Sequence, residues 1–370
     1  MHHSAPKTNG SFSRKEPLVS VIVPIYNVEA FLDQCLSSIR QQTHANLQII
    51  CLNDGSTDNS FQIIEKHAVE DSRIRVVNKQ NEGYGASCNK GLDLAEGTWI
   101  SVIEPDDWIE PTMYEDMLVF EDSLQDNCDI IKTPYWRIVT PDTPQQTRLN
   151  CSYRKRIKPS HQPFGIAEAP HLLRHHPSIW SALYRTSFLN EHTIRFHEIP
   201  GSGWADNPFL ADTLLRARRI AYLDRPYYCY REETPEQARA SIRRDPLLPI
   251  KRWNDVLDIA ESLEITNPII IEEIYRRGFT NLGGVIQYVG ETDQVTKAAC
   301  QMFSRMNPQY VFDSLIISPS NKQLFARLLG IECPTQNSSY WIKSLLGEFI
   351  YTLKNAGPRY TAQMVIRSIK

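Results

Sequence analysis

The chain has 370 residues, 41% of them hydrophobic and 22% charged, which is enough apolar material for a large core and enough length for two domains or more. A formal net charge of −3 gives no general basic footprint for nucleic acid, and no run of about 18 apolar residues is present to span a bilayer. Eight cysteines are scattered without a C-x-x-C pair, several inside apolar runs, the pattern of reduced core thiols in a cytosolic protein.

Residues 1–16 are polar and lack an apolar h-region, so a disordered tail and no signal peptide are expected there. Leu18 to Pro24 is a short β-rich run. A helix that Asn27 can cap follows, its apolar positions Phe31, Leu32, Cys35, Leu36 and Ile39 keeping a helical period. A second strand, Leu47 to Leu52, runs into Asn53-Asp-Gly-Ser-Thr-Asp58 and a helix with Phe61, Ile64 and Ala68 on one side. A third, Ile74 to Val77, leads to a glycine-bearing loop, Asn81 to Gly85, and a helix through Leu92 and Ala95. The fourth, Trp99 to Ile103, ends in Glu104, Asp106 and Asp107, separated only by Pro105. Continuous apolar strands alternating with helices predict a parallel sheet covered on both faces, whose ligands collect at the carboxyl ends of the strands.

Three carboxylates at the end of a core strand repel one another and cost desolvation unless a cation sits among them. Hard oxygen ligands of this kind suit Mg2+ or Mn2+ carrying phosphates; a solvated acidic turn is the competing reading. Gly83-Tyr-Gly85 with Glu104 downstream imitates part of a dinucleotide fingerprint. Cys88 holds the place of the third glycine, however, and the loop follows the third strand instead of the first, which sets a dehydrogenase aside.

Four stretches taken together, Val21-Ile-Val-Pro-Ile-Tyr-Asn27, Asn53-Asp-Gly-Ser-Thr-Asp58, Asn81-Glu-Gly-Tyr-Gly-Ala-Ser-Cys-Asn-Lys-Gly91 and Glu104-Pro-Asp-Asp-Trp108, resemble the inverting glycosyltransferases of family 2. The resemblance covers roughly residues 17–235, continuing more loosely through Trp180 to Leu189 and Gly203 to Phe209. It implies the GT-A fold: an α/β domain over 17–240 with a Rossmann-like, mostly parallel sheet flanked by helices. Its nucleotide-binding half would be 17–110 and its acceptor half 111–240, with a helical C-terminal region over 241–370. The chain departs from the family pattern at Glu104, where the metal motif begins with Asp, at Cys88, where an Arg often precedes Asn89, and at Ala205, where an acid commonly stands.

The resemblance further implies an enzyme of hexosyltransferase type, moving one sugar with inversion from a UDP-linked donor to a glycan or lipid-linked glycan in polysaccharide biosynthesis. Pro24, Tyr26, Asp54, Asn81, Gly83, Asn89, Glu104 and Asp106 would bind the nucleotide, Asp54 accepting the imide N–H of a uracil-like base. Asp106 and Asp107 would hold Mn2+ or Mg2+ at the diphosphate, with Glu104 toward the ribose. Asp58 reads as a helix cap. Asp206, at the start of a helix whose positive end would keep it ionised, would be the general base. Trp180, Trp204 and Arg231 are candidates for the sugar-binding walls, against a buried structural Trp and a surface Arg as competing readings. Arg239 is a further basic candidate. His171 and His175 have i,i+4 spacing, but with His176 they lack partners for a zinc set and read as a solvated helix edge. Two alternatives stay open. A degenerate GT-A protein could bind sugar nucleotide or glycan without turnover; a nucleotidyltransferase would need a basic glycine-rich loop that Pro24 to Asn27 does not provide.

From Pro246 the pattern turns helical, with Trp253, Val256, Leu257, Ala260 and Leu263 on one face and further helices expected over Ile269 to Val289 and Val295 to Met306. Covering the acceptor cleft, homodimerising or docking a partner are the expected roles. Trp341 to Lys370 combines large apolar residues with Lys343, Lys354, Arg359, Arg367 and Lys370 against one acid, Glu348. It reads either as an interfacial helix at the inner face of the membrane or as a core-facing helix.

Overall fold

The computed structural model describes residues 16–124, 126–199, 201, 203–232, 245–335 and 339–369; the side chains of 339–341, 344, 359 and 363–369 fall outside that description. Residues 1–15 of the tail expected over 1–16, Arg239 and the side chains of Trp341, Arg359, Arg367 and Lys370 therefore lie outside the described residues.

The main sheet contains β1 (Val19–Ile25), β2 (Leu47–Asp54), β3 (Ile74–Lys79), β4 (Trp99–Val102), β6 (Ile130–Lys132), β9 (Ala182–Arg185) and β10 (Ile220–Tyr222), in the order β10-β6-β9-β4-β1-β2-β3. Only β9 runs antiparallel to its neighbours, β4 and β6; the remaining pairs are parallel, so the sheet is mostly parallel as expected. Every residue of β1 is buried, because helices Glu29–Arg40, Ser60–Glu70 and Tyr84–Leu94 cover the sheet on both sides. Asn27 does not cap the first helix. It stands in the left-handed region (φ 49°) and its amide oxygen takes the Thr57 N–H at 2.7 Å. Asp58 does the capping, accepting from Glu29 N and Ser60 N at 3.0 Å each.

A second sheet, ordered β5-β11-β7-β8, joins β5 (Trp108–Ile109), β7 (Tyr135–Val139), β8 (Thr147–Asn150) and β11 (Tyr228–Arg231). Strands β7 and β8 are not among the strands read from the sequence. Half-buried and short, β7 finds its parallel partner β11 some ninety residues later, which no local pattern announces.

Helices Leu248–Ser262, Pro268–Val289 and Asp293–Ser304 match the expected ones, and Pro308–Asp313 and Pro319–Leu329 follow. Trp253, which donates to the Ile274 carbonyl at 2.7 Å, and the packed rings of Phe279, Phe303 and Phe325 form their core. The bundle is fastened to the α/β domain by helix Asp206–Arg216 against Leu248–Ser262, and by the buried Glu273, which pairs with Arg174. The last helix, Ser339–Ile369, breaks at Gly357 (φ 79°) before Pro358. All eight cysteines are free thiols, and among the described residues no helix is long and apolar enough to cross a membrane.

Candidate active site

β1, β2 and β4 end side by side, so the turns after them meet at one edge with the loop that follows β3. A cavity of about 770 Å³ opens there, lined among others by Pro24, Tyr26, Asp54, Asn81, Gly83, Glu104 and Asp106. The Tyr26 ring is 51% exposed. Asp54 is buried at the end of β2; its oxygens accept from Glu82 N and Gly83 N at 2.9 Å each and pair with Lys79. The carboxylate thus shapes the 81–83 turn as well as lining the cavity. Gly83 (φ 95°) is required in that turn: a Cβ would stand 3.0 Å from the Ile199 carbonyl oxygen.

The three acids after β4 part company. Glu104 accepts from the Tyr84 hydroxyl at 2.6 Å. Burial pushes its carboxyl up to about 8; the Tyr84 bond opposes this, while the charges of Asp106 and Asp206 reinforce it. Asp107 is almost fully buried, accepting from Tyr228 OH and Arg231 N at 2.7 Å each, and burial holds its carboxyl well above the usual range. Asp106 has surface open to the cleft and accepts its own backbone N–H, yet desolvation by the surrounding walls raises its carboxyl, with that bond and the Arg231 charge opposing. Among the described residues no three His, Cys, Asp or Glu side chains converge as metal ligands. The open, hard oxygen donor of Asp106 fits a divalent cation whose remaining ligands are phosphate and water.

A second cavity, about 650 Å³, shares Tyr84, Glu104 and Asp106 with the first. Asp206, the first residue of helix Asp206–Arg216, lies on its wall. The helix start was expected to keep this carboxyl ionised, but burial outweighs it and raises the carboxyl; the Arg277 charge and the Asn207 amide at 3.1 Å pull the other way. Arg277 comes from helix Pro268–Val289, is 8% exposed, and donates to the Leu173 carbonyl at 2.9 Å and to the Asn207 side-chain oxygen. Trp180 is gripped between aromatic neighbours, stacked 3.9 Å from Tyr228 and 5.4 Å from Tyr230. Trp204 turns the chain at φ 54° and lines the same cavity. Arg231 is not on the surface: it is 8% exposed, paired with Asp142, and packed over Trp108 and Phe31.

Two groups stand elsewhere than expected. Asn89 lines neither cavity. Its amide donates to the Phe196 carbonyl (3.0 Å) and Glu198 (3.1 Å) and accepts from Phe196 N (2.8 Å), fastening the 196–198 stretch against helix Tyr84–Leu94. Of the three histidines only His171 stands on the helix, which ends at Arg174; His175 and His176 follow it and line the 650 Å³ cavity. His171 stacks on His175 at 5.8 Å between centroids, and burial with Arg174 and Arg156 holds its ring down at about 4.

Residues 20–189 match the family model described as Glycosyl transferase family 2. This stretch is a family 2 glycosyltransferase domain. The "Uncharacterized glycosyltransferase EpsJ" of Bacillus subtilis is 32% identical over 225 residues, 58% of this chain and 61% of EpsJ, so the chain spans about six-tenths of that relative. The hyaluronan synthase of Pasteurella multocida is 33% identical over 132 residues, 36% of this chain and 13% of the synthase. Among solved structures, TarS 1–349 of S. aureus in complex with UDP has the same fold, with a TM-score of 0.50 and 23% identity over 79% of this chain and 85% of that one. The fold is therefore GT-A. Asp206, Arg231 and Arg277 lie beyond the matched stretch. Sequence reasoning missed Arg277 and Asn281, which sit on an ordinary amphipathic helix and acquire a place in the cavity only through packing.

Proposed function

We propose that the chain is an inverting glycosyltransferase that takes a sugar from a UDP-linked donor to a hydroxyl of a glycan or lipid-linked glycan. The observation that carries this reading is the joining of the two cavities through Tyr84, Glu104 and Asp106, with Asp206 on the wall of the second. A donor lying across the junction places its nucleotide by Tyr26, Asn81 and the Asp54 turn, and its sugar toward Asp206. Asp206 then accepts the proton of the attacking hydroxyl; its raised carboxyl makes it a stronger base than an exposed aspartate. Asp106 would hold Mn2+ or Mg2+, which when bound neutralises charge on the diphosphate leaving group. Asp107 keeps the 104–107 turn in place through Tyr228 and the Arg231 backbone. Trp180, Trp204, His175 and His176 shape the sugar end. The helical region closes that end with Arg277, Thr280 and Asn281.

Calorimetry of UDP, GDP and dTDP binding, with Mn2+ and with chelator, tests the donor half. UDP binding that requires Mn2+ and is lost in Asp106→Asn is expected; failure of all three nucleotides to bind a folded chain would favour a degenerate scaffold. UDP-GlcNAc, named with TarS in a second complex, is the first donor to assay for turnover.

A further inference from the structure

The helix Ser339–Ile369 carries a surface that the cleft does not use. Its inner face is polar and bonded: Glu348 pairs with Arg156 at 2.8 Å, the Tyr351 hydroxyl donates to the carbonyls of Cys151 (3.1 Å) and Arg154 (2.8 Å), and Asn355 meets Asn150 at 3.3 Å. Facing away are Ile342, Leu345, Leu346, Phe349, Ile350 and Leu353, between 39% and 62% exposed. At 3.6 residues per turn these six fall within an arc of about 140°, and the three bonded residues fall outside it. Lys343 and Lys354 stand together along one edge of the arc, both exposed. Glu348, the only acid in the sequence of this helix, is held by Arg156.

We propose that this stripe docks the protein on an anionic lipid bilayer. Six adjoining large apolar side chains form a patch of the kind that marks an interaction surface, unlike the isolated exposed Val69 and Val119 elsewhere. A two-fold dimer through the stripe would set the patch against itself, and the helix has no free acid to neutralise the doubled lysine edge. Lipid phosphates supply that neutralisation, while the apolar side chains enter the acyl boundary and the lysine stems lie along it. The placement suits an acceptor delivered from the membrane. Glu348 lies close enough to His171 to act on it electrostatically, and His171 stacks on His175, which lines the 650 Å³ cavity. The docking itself does not depend on the transferase reading, and its test uses neither donor nor acceptor.

The full chain is sedimented with vesicles of phosphatidylcholine alone and of phosphatidylcholine with phosphatidylglycerol. Binding to the anionic vesicles, weakening as salt is raised, is expected. Leu345→Glu/Leu346→Glu/Phe349→Glu and, separately, Lys343→Glu/Lys354→Glu should each reduce the partition constant at least about tenfold, whereas Val69→Glu leaves it unchanged. All these positions are exposed, so unaltered thermal unfolding is expected, and the lysine pair serves as the test if the triple variant fails to fold. Wild-type chain that stays in the supernatant would overturn the proposal, as would variants that sediment like wild type. Light scattering that shows a dimer broken by the apolar substitutions would assign the stripe to a second copy instead.

Discussion

Arg277→Gln removes one positive charge from the wall of the cleft and tests whether the helical region tunes Asp206. The guanidinium is 8% exposed, bridges the Leu173 carbonyl and the Asn207 side chain, and offsets part of the burial that raises the Asp206 carboxyl. An opposite charge nearby shifts a carboxyl by about 1–3 units. Because the Asn207 amide shares the stabilisation, the low end applies, about one unit or ~1.4 kcal/mol. The acidic limb of kcat/KM against pH should therefore move up by about one unit, a roughly tenfold loss below the limb that closes as pH rises. The assay is release of nucleoside diphosphate from the donor across pH, with the melting temperature recorded alongside. Leu173 and Asn207 lose a partner as well, which costs about 1–3 kcal/mol of stability. Arg277→Lys separates the two effects: it keeps the charge, and with it the limb, but lacks the fork that reaches both partners. A glutamine variant that melts early while its acidic limb coincides with wild type would show that Arg277 supports the fold and does not tune the base.

Glu104 gives a pH signature. With its carboxyl raised from 4.5 to about 8, the folded chain keeps a proton that the unfolded chain releases, so stability falls as pH rises through that window; Glu104→Gln should flatten the fall in melting temperature measured without metal or nucleotide. Asp106→Asn should abolish Mn2+-dependent UDP binding in calorimetry while changing stability by less than about 0.5 kcal/mol, since the carboxylate is exposed. Asp107→Asn should do the reverse in denaturant titrations, costing about 1–3 kcal/mol by disturbing the bonds from Tyr228 and Arg231. Asn89→Ala deletes three bonds to the 196–198 stretch and should destabilise by about 2 kcal/mol while leaving the Kd for UDP within about twofold; a large rise in Kd on a stable protein would return Asn89 to the nucleotide site.

The parallel half of the fold was legible because its strands are continuous apolar runs, each ending in a polar turn at one edge. The family resemblance adds Pro24, Tyr26, Asp54, Asn81, Gly83, Glu104 and Asp106 as nucleotide contacts, and these seven residues line one cavity at that edge. The partners of Asn89 were not legible, because a polar residue near the start of a helix looks alike whether it meets a ligand or, as here, a stretch more than a hundred residues away. Asp107 and Asp106 are neighbours of identical chemistry. Only the distant Tyr228 and Arg231, which turn one inward, distinguish them. The aromatic grip on Trp180 and the reach of Arg277 to Asn207 are likewise long-range packing events with no local period to signal them.

Crystals grown with UDP and Mn2+ address most directly whether the two cavities act as one site. Uracil beside Tyr26 and the Asp54 turn, a diphosphate at Asp106, and a β-phosphate facing the cavity of Asp206 are expected. UDP bound elsewhere, or bound with Asp106 untouched and Asp206 turned away from the phosphate, would contradict the proposed transfer.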